Sequence, residues 1–340
     1  MHEKFNSLEL NSKFQKVKLD ELEKSTISRL GLSEKDIDEM LSGKCFAEGS
    51  YAMVFDVPNN KDMVAKVWKN PKNDYHRADY ENVALRLLRL KKMKEAPSIS
   101  SYIESPHIIF EKKVEGSPIE QIDNSTIKEL AKVLSKIHSI KLNSYGKPLS
   151  ERKKGTKYDC FKDGIDRLRQ DLLSSDFSED IFSFIEKIIN KIENKAKNNK
   201  NAFNDKYFTL IHFDLNHNNI LKNDDGRLVI VDWEQASAGD NAMDLAKMFL
   251  KLDFDEPQKK QFLNQYKEEL KEKDNFLQDR LKIYEPLVIV NSLLWRSQIL
   301  KSHEMNANIS KYDEDFYQRV RLGYNDDLKK INDLFSNNIK

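Results

Sequence analysis

A β-hairpin embedded in helical sequence limits the folds open to this chain. Leu210-Ile211-His212 and Ile220-Leu221 read as short strands, the turn Asn223-Asp224-Asp225-Gly226 follows, and Leu228-Val229-Ile230-Val231 closes the hairpin. On its N-terminal side, apolar positions recur at three-and-four spacing. They run first through Ile127, Leu130, Ala131, Leu134, Ile137 and His138, after a Thr126/Glu129 capping signal, and then through Ile181, Phe182, Ile185, Ile188, Ile189 and Ile192. Glu179 and Asp180 open the second helix and Lys195 and Lys197 lie near its end, as the helix dipole prefers. Residues 241–336 read as helical again.

The first third of the chain is patterned differently. Residues 1–43 form a polar extension, in which a capping box at Ser33 to Asp36 opens a helix through Ile37, Met40 and Leu41 that ends at Gly43. Lys44 to Lys69 then reads as three strands. The first ends at Glu48, the second covers Ala52 to Val57, and the third covers Met63 to Trp68 after the turn Pro58-Asn59-Asn60. A helix carrying Val83, Ala84, Leu87 and Leu88 follows, then a strand from His107 to Phe110. The expected architecture is α+β and two-lobed. A helical extension (1–43) precedes a small antiparallel-sheet lobe (44–113) and a larger, mainly helical lobe (114–340), with a hinge near 111–117.

Charge and cysteine content narrow the function classes. Charged residues make up 33% of the 340 residues but nearly cancel, leaving +1. That balance gives no electrostatic case for nucleic acid or for an anionic membrane surface. Basic runs such as Lys91-Lys92 and Arg152-Lys153-Lys154 read as solvated faces. Cys45 and Cys160 fall outside any metal-ligand spacing, and they fit free thiols in a reducing compartment better than the one disulfide they could form. No N-terminal apolar run resembles a signal peptide, and no stretch approaches the ~18 apolar residues of a membrane span. A soluble, cytoplasmic monomer or homodimer is expected.

The chemistry lies in His212-Phe213-Asp214-Leu215-Asn216-His217-Asn218-Asn219, followed 13 positions later by Asp232. A carboxylate, an amide five residues on, and a second carboxylate returned by the hairpin match the needs of phosphoryl transfer from ATP. Asp214 would orient the attacking hydroxyl and take its proton, while Asn219 and Asp232 would hold Mg²⁺ against the phosphates. Oxygen donors of this kind favour magnesium over zinc.

These residues resemble the kinase catalytic loop and metal-binding aspartate. Val231-Asp232-Trp233-Glu234, then Gly239-Asp240 and Asp244-Leu245-Ala246, are similar to one branch in particular, the aminoglycoside phosphotransferase and choline kinase-like family. The ordered motifs cover roughly residues 44 to 250. The resemblance implies a protein kinase-like fold and a nucleoside triphosphate donor, ATP, with GTP left open. It also assigns roles upstream. Gly49 and Ser50 stand where kinases place their phosphate-covering loop, although Ala47 and Ala52 occupy the flanking glycine positions. Lys66 matches the phosphate-gripping lysine, with Glu81 as its partner and Asp79, half a turn away, as the open alternative. Glu111 and Lys113 fall where hinge backbone groups would bond an adenine.

Other residues near these motifs have plainer readings. His212 braces the backbone around Asp214, His217 and Asn216 shape the loop, Asp240 and Asp244 cap helices or fix the loop, and His138 belongs to the core. Trp68 and Trp295 read as well for packing as for substrate stacking, and Glu234 is open.

The function implied is a kinase acting on a hydroxyl of a small molecule, such as an aminoglycoside-, choline- or thiamine-like acceptor. A protein kinase is disfavoured, because Asn216 replaces the loop lysine, Trp233-Glu234 replaces Phe-Gly, and Gly239 comes seven residues after Asp232. A pseudokinase scaffold is disfavoured by the presence of Lys66, Asp214, Asn219 and Asp232 together. Asp253, Asp255, Glu256 and Glu285 could receive a cationic amine or simply be solvated.

Overall fold

The computed structural model describes residues 21–49, 51–69, 71–105, 107–150, 152–270, 273–305 and 314–336. Residues 1–20 of the expected extension, and Ser50, lie outside them. Strands are numbered β1 to β11 and helices α1 to α10 in chain order. By their contacts the residues form two units, the first running through Gln121 and adding Lys147–Leu149 and His217–Ala236, the second comprising Ile122–Gly146, Ser150–Asn216 and the chain from Ser237.

In unit 1, buried Met53, Phe55 and Val57 alternate with Val54 and Asp56, so the segment forms a strand with one apolar face. An antiparallel sheet of β1 (Ala47–Glu48), β2 (Ala52–Val57), β3 (Asn60–Trp68), β4 (Ile99–Ile103) and β5 (Ile108–Lys112) results, ordered β1-β2-β3-β5-β4. The β2–β3 turn is tighter than the sequence suggests, because Asn59 adopts a left-handed φ of 61° and lets β3 begin at Asn60. β4 was not anticipated: Ser100 and Ser101 leave only its two ends, Ile99 and Ile103, as buried apolar residues.

α1 (Glu21–Arg29) and α2 (Glu34–Ser42) cover one face of this sheet. Ile27, Ile37, Met40 and Leu41 share a core with Met53, Phe55, Ala65, Val67 and Phe110. Ser33 and Asp36 form the expected capping box of α2. Because side chains alternate along a strand, Lys66 points to the opposite face, where α3 (Pro71–Leu90) lies. Unit 1 also contains β6 (Ser117–Pro118), paired with the second strand of the sequence-predicted hairpin.

Unit 2 is mainly helical. α4 (Asn124–His138) carries the expected apolar stripe, but its cap is Asp123, which is extended and accepts the Thr126 amide; Thr126 itself sits buried in the first turn. β7 (Lys141–Leu142), β8 (Phe208–Ile211) and β11 (Ser237–Gly239) make a small antiparallel sheet ordered β11-β8-β7. In unit 1, β9 (Ile220–Lys222) and β10 (Leu228–Ile230) form the hairpin, with β6 on its open edge. Unit 2 also contains α5 (Lys157–Leu173), α6 (Glu179–Asn198), α7 (Asn241–Lys251), α8 (Glu256–Glu269), α9 (Leu277–Met305) and α10 (Glu314–Ser336).

Arg280 on α9 is buried and ties this unit together. It bonds Asp240 at 2.9 Å, Asp274 at 2.6 Å, Asn241 at 3.2 Å and the Ala202 carbonyl at 3.1 Å. Cys45 and Cys160 are both free thiols. Among the described residues no helix is long and apolar enough to cross a membrane.

Candidate active site

Unit 1 supplies a charged cluster centred on Lys66. The Lys66 ammonium donates to Glu81 Oε2 and to Asp232 Oδ1, each at 2.6 Å. Asp79 is otherwise engaged, accepting the Tyr102 hydroxyl at 2.7 Å, so the helical phase of α3 presents Glu81 and not Asp79 to the lysine. Burial works against a charged lysine, but Asp232, Glu81 and Glu234 outweigh it and raise the Lys66 pKa. Glu81 also accepts the Trp233 amide at 3.1 Å. Glu234 binds Arg77 at 3.0 Å, and the Arg77 guanidinium lies 3.7 Å from the centre of the Tyr51 ring, in the loop that follows Gly49. Gly49 donates its amide to Ala52 across that loop.

The carboxylates of this cluster outnumber its cations. Asp232, Glu81, Glu111 and Glu234 surround Lys66 and Arg77, and burial pushes Glu81, Glu111 and Glu234 each up to about 7. Among the described residues, Glu111 Oε2 is buried without a hydrogen-bond partner. The donors nearest the hairpin are hard oxygens. Asn219 is buried, and its carbonyl accepts the Val231 amide at 2.9 Å, which ties it to the residue preceding Asp232. Asp232 holds a left-handed φ of 65°, which aims its side chain from the hairpin end. Among the described residues no cluster of three His, Cys, Asp or Glu forms a metal cage. Lys113, the other hinge expectation, gives its amide to Asp62 and its ammonium to Asp56, at 2.8 Å each.

Unit 2 supplies the loop of Asp214. Asp244 on α7 accepts the amides of His212 at 3.0 Å and of Phe213 at 2.7 Å, and pairs with His138 at 3.1 Å. His138 also meets the Tyr266 hydroxyl at 2.7 Å through its Nδ1, while its Nε2 faces Asp244. The Asp214 amide donates to His212 Nδ1 at 3.2 Å, and Asn216 donates to the Asp214 carbonyl at 3.1 Å. Phe213 pays for this arrangement with a φ of 66°, strain that a bulky residue accepts only where its amides are pinned.

Two lysines of α7 stand beside this loop. Lys251 bonds Asp214 Oδ1 at 2.5 Å, and the Lys247 ammonium lies 3.9 Å from the centre of the Phe213 ring. Neither was singled out from sequence, since lysines on an amphipathic helix read as solvent-facing. The acidic residues considered for an amine acceptor are engaged elsewhere. Asp255 caps α8, Glu256 and Glu285 both pair with Lys259, and Asp253 lies near Lys330.

A model described as the phosphotransferase enzyme family matches residues 110–284, just over half of the 340. No curated protein matches. Among solved structures, Plasmodium vivax ethanolamine kinase aligns with a TM-score of 0.62 at 17% identity, over 88% of this chain and 84% of its own. Choline kinase LicA from Streptococcus pneumoniae, also solved with AMP, gives 0.53 at 19% identity, over 82% and 91%. The gentamicin complex of APH(2")-IIa gives 0.55 at 16% identity, over 91% and 96%. At such identities these structures speak to the fold, the kinase-like α+β fold that the sequence motifs imply. The family match covers the catalytic-loop motif, the hairpin and α7 together, and with it this chain belongs to the phosphotransferase enzyme family.

Proposed function

We propose that the chain moves the γ-phosphoryl group of ATP to a hydroxyl group of a small molecule, with Asp214 as the base. The observation that carries this reading is the Lys66 ammonium held at 2.6 Å by both Glu81 and Asp232. That arrangement keeps a cation charged and oriented beside an oxygen donor set suited to Mg²⁺. Asn219 and Asp232 would hold the metal, whose chemistry is to neutralise charge on the transferring phosphoryl oxygens. Lys66 would grip phosphate oxygens of the donor. Asp214 orients the acceptor hydroxyl and takes its proton as the new P–O bond forms and the bond to ADP breaks; the proton then leaves to solvent. Asp244, His138 and His212 hold the backbone that presents Asp214.

A small acceptor is favoured over a peptide by the short path between Asp232 and α7. Only residues 233–240 separate them, and β11 occupies three of these. They leave no long activation segment on which a peptide could lie. The test is ADP release over a panel of hydroxylated amines, acids, sugars, vitamins and antibiotics, with ATP and GTP as donors and the Asp214→Ala variant as blank. Acceptor-dependent ADP release above the blank supports the reading. Equal release by both proteins with every acceptor sinks it.

A further inference from the structure

The neighbours of Asp214 bear on the chemical class of the acceptor, on the reading that Asp214 receives the acceptor's hydroxyl. A hydroxyl about to lose its proton to Asp214 must come within about 3 Å of that carboxylate. Groups already touching Asp214 therefore also face the rest of the acceptor. Two lysines of α7 stand there. Lys251 bonds Asp214 Oδ1 at 2.5 Å with 38% of its side chain exposed, so it can exchange partners with a solute. Lys247 lies one turn earlier on the same face of α7, half-buried over the Phe213 ring, and it forms no ion pair among the described residues. Burial, then Lys251, lower the Lys247 pKa to about 8, which leaves it largely protonated at neutral pH.

Among the described residues of this unit, the Asp214 carboxylate thus meets Lys251 and has the Lys247 ammonium close by. Asp244, the next acid on α7, is committed to two backbone amides and His138. An amine acceptor would add a third positive charge here, and the acids that might have received it meet other groups: Asp255 caps α8, Glu256 and Glu285 pair with Lys259, and Asp253 lies 3.8 Å from Lys330. From this surplus we infer that the acceptor is an acid. Its carboxylate or phosphate is received by Lys247 and Lys251 while its hydroxyl meets Asp214. Drawing Lys251 onto the acceptor's acid group also frees the Asp214 oxygen that the lysine holds without it. The base is then released when the right substrate arrives, and water alone does not release it.

The test uses acceptors matched in skeleton and different in charge: glycerate, glycerol and 3-aminopropane-1,2-diol, then gluconate, glucose and glucosamine, with glycerol 3-phosphate and glucose 6-phosphate as the phosphate arms. ADP release gives kcat/KM for each with full-length protein. The expected order is acid over neutral over amine, by at least tenfold at each step on the preferred skeleton. The carboxylate and phosphate arms then tell which acid group is read. Lys251→Glu should raise KM for the acid member at least thirtyfold and improve the amine, and Lys251→Gln should fall between, with thermal melting confirming that both variants fold. Preference for an amine or a neutral acceptor, with turnover still lost in Asp214→Ala, overturns the inference and leaves the proposed reaction standing. A uniform fall in kcat across all acceptors would assign Lys251 to phosphate instead and also overturn it. If no acceptor raises ADP release above the Asp214→Ala blank, the proposed reaction fails, and the inference with it.

Discussion

Removing the Asp244 carboxylate should destabilise unit 2 before it alters any chemistry directly. The side chain is 1% exposed and serves three donors: the amides of His212 and Phe213, and His138 Nε2. Hydrogen bonds to a charged group are worth about 1.5–3 kcal/mol each, but the charge also bears a burial cost, so the loss is smaller than the sum. The strain of the left-handed Phe213, about 1–2 kcal/mol, is relieved once its amide is released, which further drives the loop out of this conformation. Asp244→Ala should therefore cost about 4 kcal/mol. Asp244→Asn, which keeps one acceptor oxygen but turns an amide N–H toward donors, should cost about 2 kcal/mol.

The effect should depend on pH. Burial alone would raise the Asp244 pKa, but the His138 hydrogen bond and charge, with His212 and the Phe213 amide, outweigh it and hold it below the usual value. A depressed folded value means this contribution is complete above the unfolded pKa of about 3.9 and is lost as pH falls through the lower folded one. Urea unfolding followed by circular dichroism at pH 7 and pH 3.5 measures both quantities. A loss under 1 kcal/mol for Asp244→Ala, with wild-type turnover, would refute the role given to this residue.

Three further outcomes are expected. Lys66→Met should lose the stabilisation that ATP and Mg²⁺ give wild type, about 2.7 kcal/mol at 100 times Kd; a thermal shift in the variant as large as wild type's would contradict the phosphate-gripping role. Glu111→Gln should stabilise the nucleotide-free chain above pH 7 and change little below pH 4.5. Burial pushes Glu111 up to about 7, so its favourable proton uptake is complete below the unfolded value and lost as pH rises through 7. Melting temperatures of both proteins from pH 4.5 to 8.5 check this, and parallel curves would count against it. Arg280→Met should cost about 3–5 kcal/mol, since it strands the buried Asp240 and the partly buried Asp274; an unchanged urea midpoint would show that the hub is dispensable.

The sequence made some of this legible for physical reasons. Two-residue alternation and three-and-four spacing are imposed by burial, so the sheet strands β2, β3 and β5 and the stripe of α4 could be read directly. Asp214, Asn219 and Asp232 stood out because oxygen donors at that spacing, around a hairpin, have few uses besides metal and phosphate. Spacing could not separate Glu81 from Asp79, since two residues on one helix differ only in rotational phase, and that phase is set by how α3 packs. Arg77, Lys247 and Lys251 were invisible for a related reason. A basic residue on a helix is usually solvated, and only the fold shows that one lies over Tyr51, another over Phe213 and a third on Asp214. The left-handed Phe213 and Asp232 carried no signal because neither is the glycine that such a φ ordinarily selects.

The central claim, phosphoryl transfer with Asp214 as the base, is tested most directly by single-turnover transfer from γ-labelled ATP to an identified acceptor. The comparison is wild type against Asp214→Ala, at donor concentrations that saturate both. The account predicts that the variant binds ATP within about threefold of wild type and forms the phosphorylated acceptor about 10²–10⁴ times more slowly. A variant that transfers the label within tenfold of the wild-type rate would contradict it.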